Sequence, residues 1–167
     1  YYKGAYASAR PRYQDALAIA IRAKLPDEES AARLKLATLA VRDGQSSPSS
    51  TALKQLSSDA ERRGLKFESV EYSLLAGEAE FRAKRYEPAR TLLESAASRA
   101  DQLGAHALLA QAHHLLELIC VATNQPAEAR RHAATARQAL DAIRKDARDD
   151  QVLQRSDLKN ILQDSPH

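Results

Sequence analysis

An alanine-anchored phrase recurs four times along the 167 residues: Ala9-x-x-x-Tyr13-x-x-Ala16, Ala52-x-x-x-Leu56, Ala89-x-x-x-Leu93-x-x-Ala96 and Ala129-x-x-x-Ala133-x-x-Ala136. The anchors lie 43, 37 and 40 residues apart. Small residues at three- and four-residue steps fall on one helix face and let a second helix approach closely. A unit that returns about every forty residues predicts stacked antiparallel helix pairs, an all-α solenoid with a right-handed twist. Composition agrees where it matters. The apolar content is mostly Ala and Leu, Trp is absent, and no stretch alternates as a strand would.

The punctuation supports the same segmentation. Gly4–Ala7 reads as a turn, and a helix over 7–24 carries Ala9, Tyr13, Ala16, Leu17, Ala20 and Ile21 on one side. Pro26 ends it and Asp27 is placed to cap the next helix, about 28–43, with Ala32, Leu36, Leu39 and Ala40 on its inner face. Gln45–Ser50 is the most loop-like stretch, with Ser49 or Ser50 as N-cap of a helix over 51–63. Helices follow over 67–83, 86–102, 105–122 and 126–146, with Lys84-Arg85 and Thr123-Asn124-Gln125 as tight turns. Gly44, Gly64 and Gly104 each fall just past a helix end. The pairs are therefore a partial one near 1–24, then 28–63, 67–102 and 105–146. A polar last helix over 149–163, with Val152, Leu153, Leu158, Ile161 and Leu162 on one side, serves as the cap.

The expectation is one helical repeat domain spanning 1–167. The chain contains no Met, even at position 1, and is read as a piece of a longer protein. Its amino end begins inside a repeat, so Tyr6, Tyr13, Leu17 and Ile21 lack cover, which offers a route to self-association. The net charge of +3 comes from 25 basic and 22 acidic residues, well interspersed, so a nucleic-acid surface is not favoured. No run is apolar enough for a membrane span. A single cysteine, Cys120, excludes an intramolecular disulfide and fits a cytoplasmic location.

Leu75-Ala76-Gly77 with Tyr86, Ala89, Leu93 and Ala96 resembles a tetratricopeptide repeat. So do Leu115-Leu116 with Asn124-Gln125-Pro126, Ala129 and Ala136, and the opening Gly4-Ala5-Tyr6, Ala9, Tyr13 and Ala16 is similar to the second half of one. The intervals exceed the usual 34 residues, Glu117 stands where the family has Gly or Ala, and Asp59 lies near another small-residue position. The Arg/Ala/Leu/Glu-rich texture is similar to repeat regions attached to bacterial signalling proteins.

The resemblance implies a non-catalytic scaffold that binds a peptide or helix in a concave groove lined by the first helix of each pair. Carried onto this chain, the groove residues are Glu71, Leu74, Glu78, Phe81 and Arg82, then Gln111, His114 and Leu118. The Lys/Asn/Arg clamp for a terminal carboxylate is absent from these positions, which disfavours a chaperone co-factor role. A regulatory or sensory module controlling an attached kinase or transcription-regulator domain is the first alternative.

The second alternative is metal-binding or enzymatic use of the His113/Glu117/Cys120 helix face, which also bears His106, with His132 able to approach from the partner helix. Its plain reading is a polar seam with His113 bonded to Glu117 and Cys120 in the core, leaving no metal, cofactor or catalytic assignment. Arg130, Arg131, Arg137, Arg144, Lys145 and Arg148 read as a solvated helix face interrupted by acids.

Overall fold

The computed structural model describes residues 3–43, 49–147, 153, 158 and 161. Seven helices run through them: α1 (Lys3–Ala23), α2 (Pro26–Asp43), α3 (Ser50–Arg62), α4 (Lys66–Arg82), α5 (Tyr86–Gln102), α6 (His106–Ala122) and α7 (Pro126–Ala147). No strand occurs among the described residues, so the all-α expectation holds. None of the helices is long and apolar enough to cross a membrane. The chain divides into two compact units, Tyr1–Ala79 and Glu80–His167.

Five helix ends are built the same way. Lys24, Gly64, Lys84, Gly104 and Asn124 have positive φ, between 56° and 77°. At each, the following residue donates its N–H back across the last turn: Leu25 to Ala20 O at 2.9 Å, Leu65 to Ala60 O at 2.9 Å, Arg85 to Glu80 O at 3.0 Å, Ala105 to Ala100 O and Gln125 to Cys120 O at 2.8 Å. This is the six-to-one bond of a Schellman cap, which satisfies a carbonyl the helix leaves open. The same following residue then opens the next helix. Arg85 O, for example, accepts from Ala89 N–H at 3.1 Å, and Gln125 O from Ala129 N–H at 3.0 Å. One residue thus closes one helix and caps the next. From Gly64 onward the left-handed residue returns every 20 positions, and α4, α5 and α6 are each 17 residues long, about 25 Å. The forty-residue repeat of the sequence is two such steps.

The start of α3 is capped by a side chain instead. Ser49 is the N-cap of α3, its Oγ accepting from Ala52 N–H at 3.1 Å, as a capping serine should. Gly44 and Gln45–Pro48 lie outside the described residues.

In the first unit α1 packs on α2, with Arg10 Nη2 3.4 Å from Asp43 Oδ2. Two expectations fail here. Gly4–Ala7 is not a turn, because α1 already begins at Lys3. One Gly among good helix formers costs about 1 kcal/mol, which a 21-residue helix absorbs. Pro26 does not end a helix but occupies the first position of α2, where it needs no N–H partner, so Leu25 rather than Asp27 is the cap. Of the expected α1 face, Ala20 is buried while Ala16 and Ile21 are exposed; Tyr6 lies among side chains outside the description.

The α3 phrase is also displaced by one position. Leu53, Ser57 and Ala60 are the buried set, and Ala52 and Leu56 are half-buried. Counted from the cap, Leu53 corresponds to Ala89 and Ala129. The small residue at the next step is Ser57, whose Oγ donates to Ser69 O at 2.8 Å and lies 2.8 Å from Ser73 Oγ. Ser69 Oγ returns a bond to Ser57 O at 2.9 Å. Three buried serines therefore join α3 to α4 with their polar atoms satisfied.

In the second unit α6 packs against both α5 and α7. Ala89, Leu93, Ala96 and Ala100 are fully buried on α5, and Ala129, Ala133, Ala136 and Leu140 face inward on α7. Leu93, Leu116 and Ile119 fill the space these alanines leave, each contributing roughly 1.5–3 kcal/mol of burial. Leu153, Leu158 and Ile161 of the expected cap are buried; the rest of 149–163 lies outside the described residues.

Candidate functional site

The eight groove residues divide between the two units. On the part of α4 in the first unit, Leu74 and Glu78 are buried and Glu71 is half-buried. Glu78 is not a surface acid: its Oε2 lies 3.7 Å from Arg42 Nε, joining α4 to α2. In the second unit, Phe81 is half-buried against the Tyr86 ring at 6.2 Å, across the Lys84-Arg85 turn. Arg82 is exposed, Gln111 and Leu118 are half-buried, and His114 is buried. Leu74, Glu78 and His114 are therefore corrected from partner-facing to interior. Helical period places a residue on a face but does not say which neighbour covers that face.

The second unit holds the most concentrated polar chemistry. At the amino end of α7, Glu128 Oε2 lies 3.1 Å from Arg90 Nη1 and 3.9 Å from Cys120 Sγ, and Arg90 also donates to the Gln125 side chain. Three helices meet in this cluster. Burial pulls the Arg90 pKa down, but the Glu128 bond and nearby acids outweigh it and the net direction is up. Burial also pushes the Cys120 thiol up, ahead of the opposing Arg90 charge, so Cys120 is a core residue and a poor thiolate.

The histidines differ from the expected seam. His113 does not bond to Glu117. Its Nδ1 lies 2.9 Å from His132 Nδ1, across the α6–α7 contact. Glu117 sits instead beside His114, with Oε2 3.5 Å from His114 Nδ1, and this carboxylate oxygen is buried without a hydrogen-bond partner. His113 and His132 have ring centroids 5.2 Å apart at 32°. That separation equals the N···N distance plus the two ring radii, so the nitrogens point head-on. A chelated ion would need both lone pairs to converge on a third point instead. Among the described residues, no group of three or more His, Cys, Asp or Glu is arranged to hold a metal ion.

The first unit has a cavity of about 530 Å³ whose walls include Glu29, Arg33, Asp59, Arg62, Arg63 and Tyr72. Its guanidinium groups are already engaged. Arg33 makes two bonds to Glu29 Oε1, at 2.9 and 2.8 Å, Arg62 pairs with Asp59, and Arg63 Nη2 donates to Pro26 O at 2.9 Å. Arg62-Arg63 look in sequence like a charged helix end, yet Arg63 ties the end of α3 to the start of α2. Tyr72 OH donates to Ser30 O at 3.4 Å, and burial pushes its phenol up to about 12. The acidic neighbours Glu68 and Glu71 add to that rise, and Arg33 and Arg63 oppose it. Tyr72 is thus a hydrogen-bond donor at any physiological pH. Nothing in the sequence pointed to this cavity, because Arg62-Arg63 suit the last turn of α3 on their own account.

On α7, Arg130, Arg131, Arg137 and Arg144 are exposed, and Arg144 pairs with Asp141 at 2.9 Å. Arg148 lies outside the described residues. Comparison with family models, with curated proteins and with solved structures finds no match to this chain.

Proposed function

We propose that this chain is a non-catalytic protein-interaction module: helical hairpins of the tetratricopeptide type, wound as a right-handed solenoid, working in the cytoplasm as a scaffold that grips a peptide or helix. The observation that supports it is the regular return of one helix joint, with a left-handed residue every 20 positions from Gly64 to Asn124. Equal helices with equal joints are what a repeat protein needs to present a surface by stacking rather than by a single active-site cleft. The partner-facing candidates are the groove residues of the second unit that keep accessible surface, Phe81, Arg82, Gln111 and Leu118.

The test is a binding measurement. Phe81→Ala with Leu118→Ala should lower affinity for a captured partner at least tenfold while circular dichroism stays helical. Arg131→Glu with Arg144→Glu should leave affinity unchanged. The reverse pattern moves binding to the outer face of α7 and removes the groove reading.

A further inference from the structure

We propose that His113 and His132 form a proton-operated latch between α6 and α7, closed while at most one ring is cationic and opened when both are. The geometry carries this. Two Nδ1 atoms 2.9 Å apart and head-on need one N–H and one lone pair between them. Two neutral rings of opposite tautomer meet the need, and so does one imidazolium facing one neutral ring. A second proton sets N–H against N–H and places two cations at hydrogen-bond distance in a half-buried contact.

The surrounding charges come from all three helices of the contact. Asp101 of α5 favours a proton on His113. Glu94 of α5 and Glu128 of α7 favour one on His132, and Arg90 of α5 opposes it. On α6 itself, the neighbouring titratable pair His114 and Glu117 is buried and turned toward each other. Burial is the largest influence on both rings of the latch and lowers both from 6.5; His132 lowers His113 further. The folded state therefore binds fewer protons than the unfolded chain. The latch contributes its full stability above the unfolded value of 6.5 and loses it as pH falls below that value through the depressed folded ones. None of this depends on partner binding.

The whole chain is titrated by histidine NMR between about pH 7.5 and 5, with amide exchange of α7 followed in parallel. The expected result is two coupled rings titrating below the ordinary histidine range, and α7 amides 129–136 exchanging several-fold faster at the acidic end after correction for intrinsic rates. The double variant H113F/H132F keeps two aromatic rings but cannot titrate, and its α7 exchange should lose that pH dependence. Independent titration of both rings at ordinary values overturns the proposal, and so does a double variant that keeps the wild-type pH dependence. If the variant fails to fold, the wild-type titration decides alone.

Discussion

Lys84 and Gly104 occupy the same slot at two consecutive joints of the second unit, with φ of 59° and 63°. Only one of them has the side chain suited to it. A left-handed conformation costs an L-residue roughly 1–2 kcal/mol through the Cβ, whereas glycine adopts it freely. At Gly104 a Cβ would meet no atom within 4 Å, so no packing clash obscures the backbone penalty. Gly104→Ala should therefore cost that penalty less the 0.4–1 kcal/mol or so by which alanine restrains the unfolded chain, a net loss of about 1 kcal/mol. Lys84→Gly runs the same ledger backwards and should gain somewhat less than about 1 kcal/mol. Urea denaturation followed by helical ellipticity measures both, with an unchanged slope showing that the unfolded states stay comparable. The double variant, with the residue types effectively exchanged, should return close to wild type, since the two sites lie at opposite ends of α5, about 25 Å apart, and act additively. A neutral Gly104→Ala, or a destabilising Lys84→Gly, would show that the joints are not held in the left-handed form, and the twenty-residue period would lose its physical basis.

Ala89→Leu should destabilise by roughly 1–3 kcal/mol, because three added carbons have no room at a position with 0% exposure; a neutral result in the same denaturation assay means α5 is rotated from its described register. Ser57→Ala removes the hydroxyl that joins α3 to α4 and leaves Ser69 O and Ser73 Oγ each one buried partner poorer, a loss of about 1–3 kcal/mol that calorimetry should register.

The helices were largely legible in the sequence because their ends carry chemistry. A serine cap at 49 or 50, Gly64 and Gly104 as stops, and the span of α5 follow from residue type alone, and the structure selects Ser49. Lys24 and Lys84 fill the same role but do not announce it, since the Cβ of lysine disfavours the left-handed region; Asn124 is of a type that enters it more readily. Their interval was the signal: stepping by 20 from residue 24 meets Lys24, Gly44, Gly64, Lys84, Gly104 and Asn124. The slip at α3 has a simple origin, as Ala52 and Leu53 are adjacent and both apolar, and only the cap position decides between them. The candidate site was less legible. His113 has Glu117 four residues on along its own helix, a contact the sequence favours, yet His132 of α7 wins it. The inward turn of Leu74, Glu78 and His114 depends on which helices lie above them, and nothing local encodes that.

The shared residue at each joint has a bearing on how the chain comes apart. Arg85 holds the last turn of α4 through its N–H and the first turn of α5 through its carbonyl, and Gln125 does the same for α6 and α7. Fraying of one helix end therefore withdraws the anchor from the next helix start. Melting that begins at such a joint spreads in both directions along the backbone, before any side chain takes part. Asp43 and Ser49 share no such residue, because α2 ends at the one and α3 is capped by the other. The shared-residue route therefore stops at the end of α2 on one side and at the start of α3 on the other.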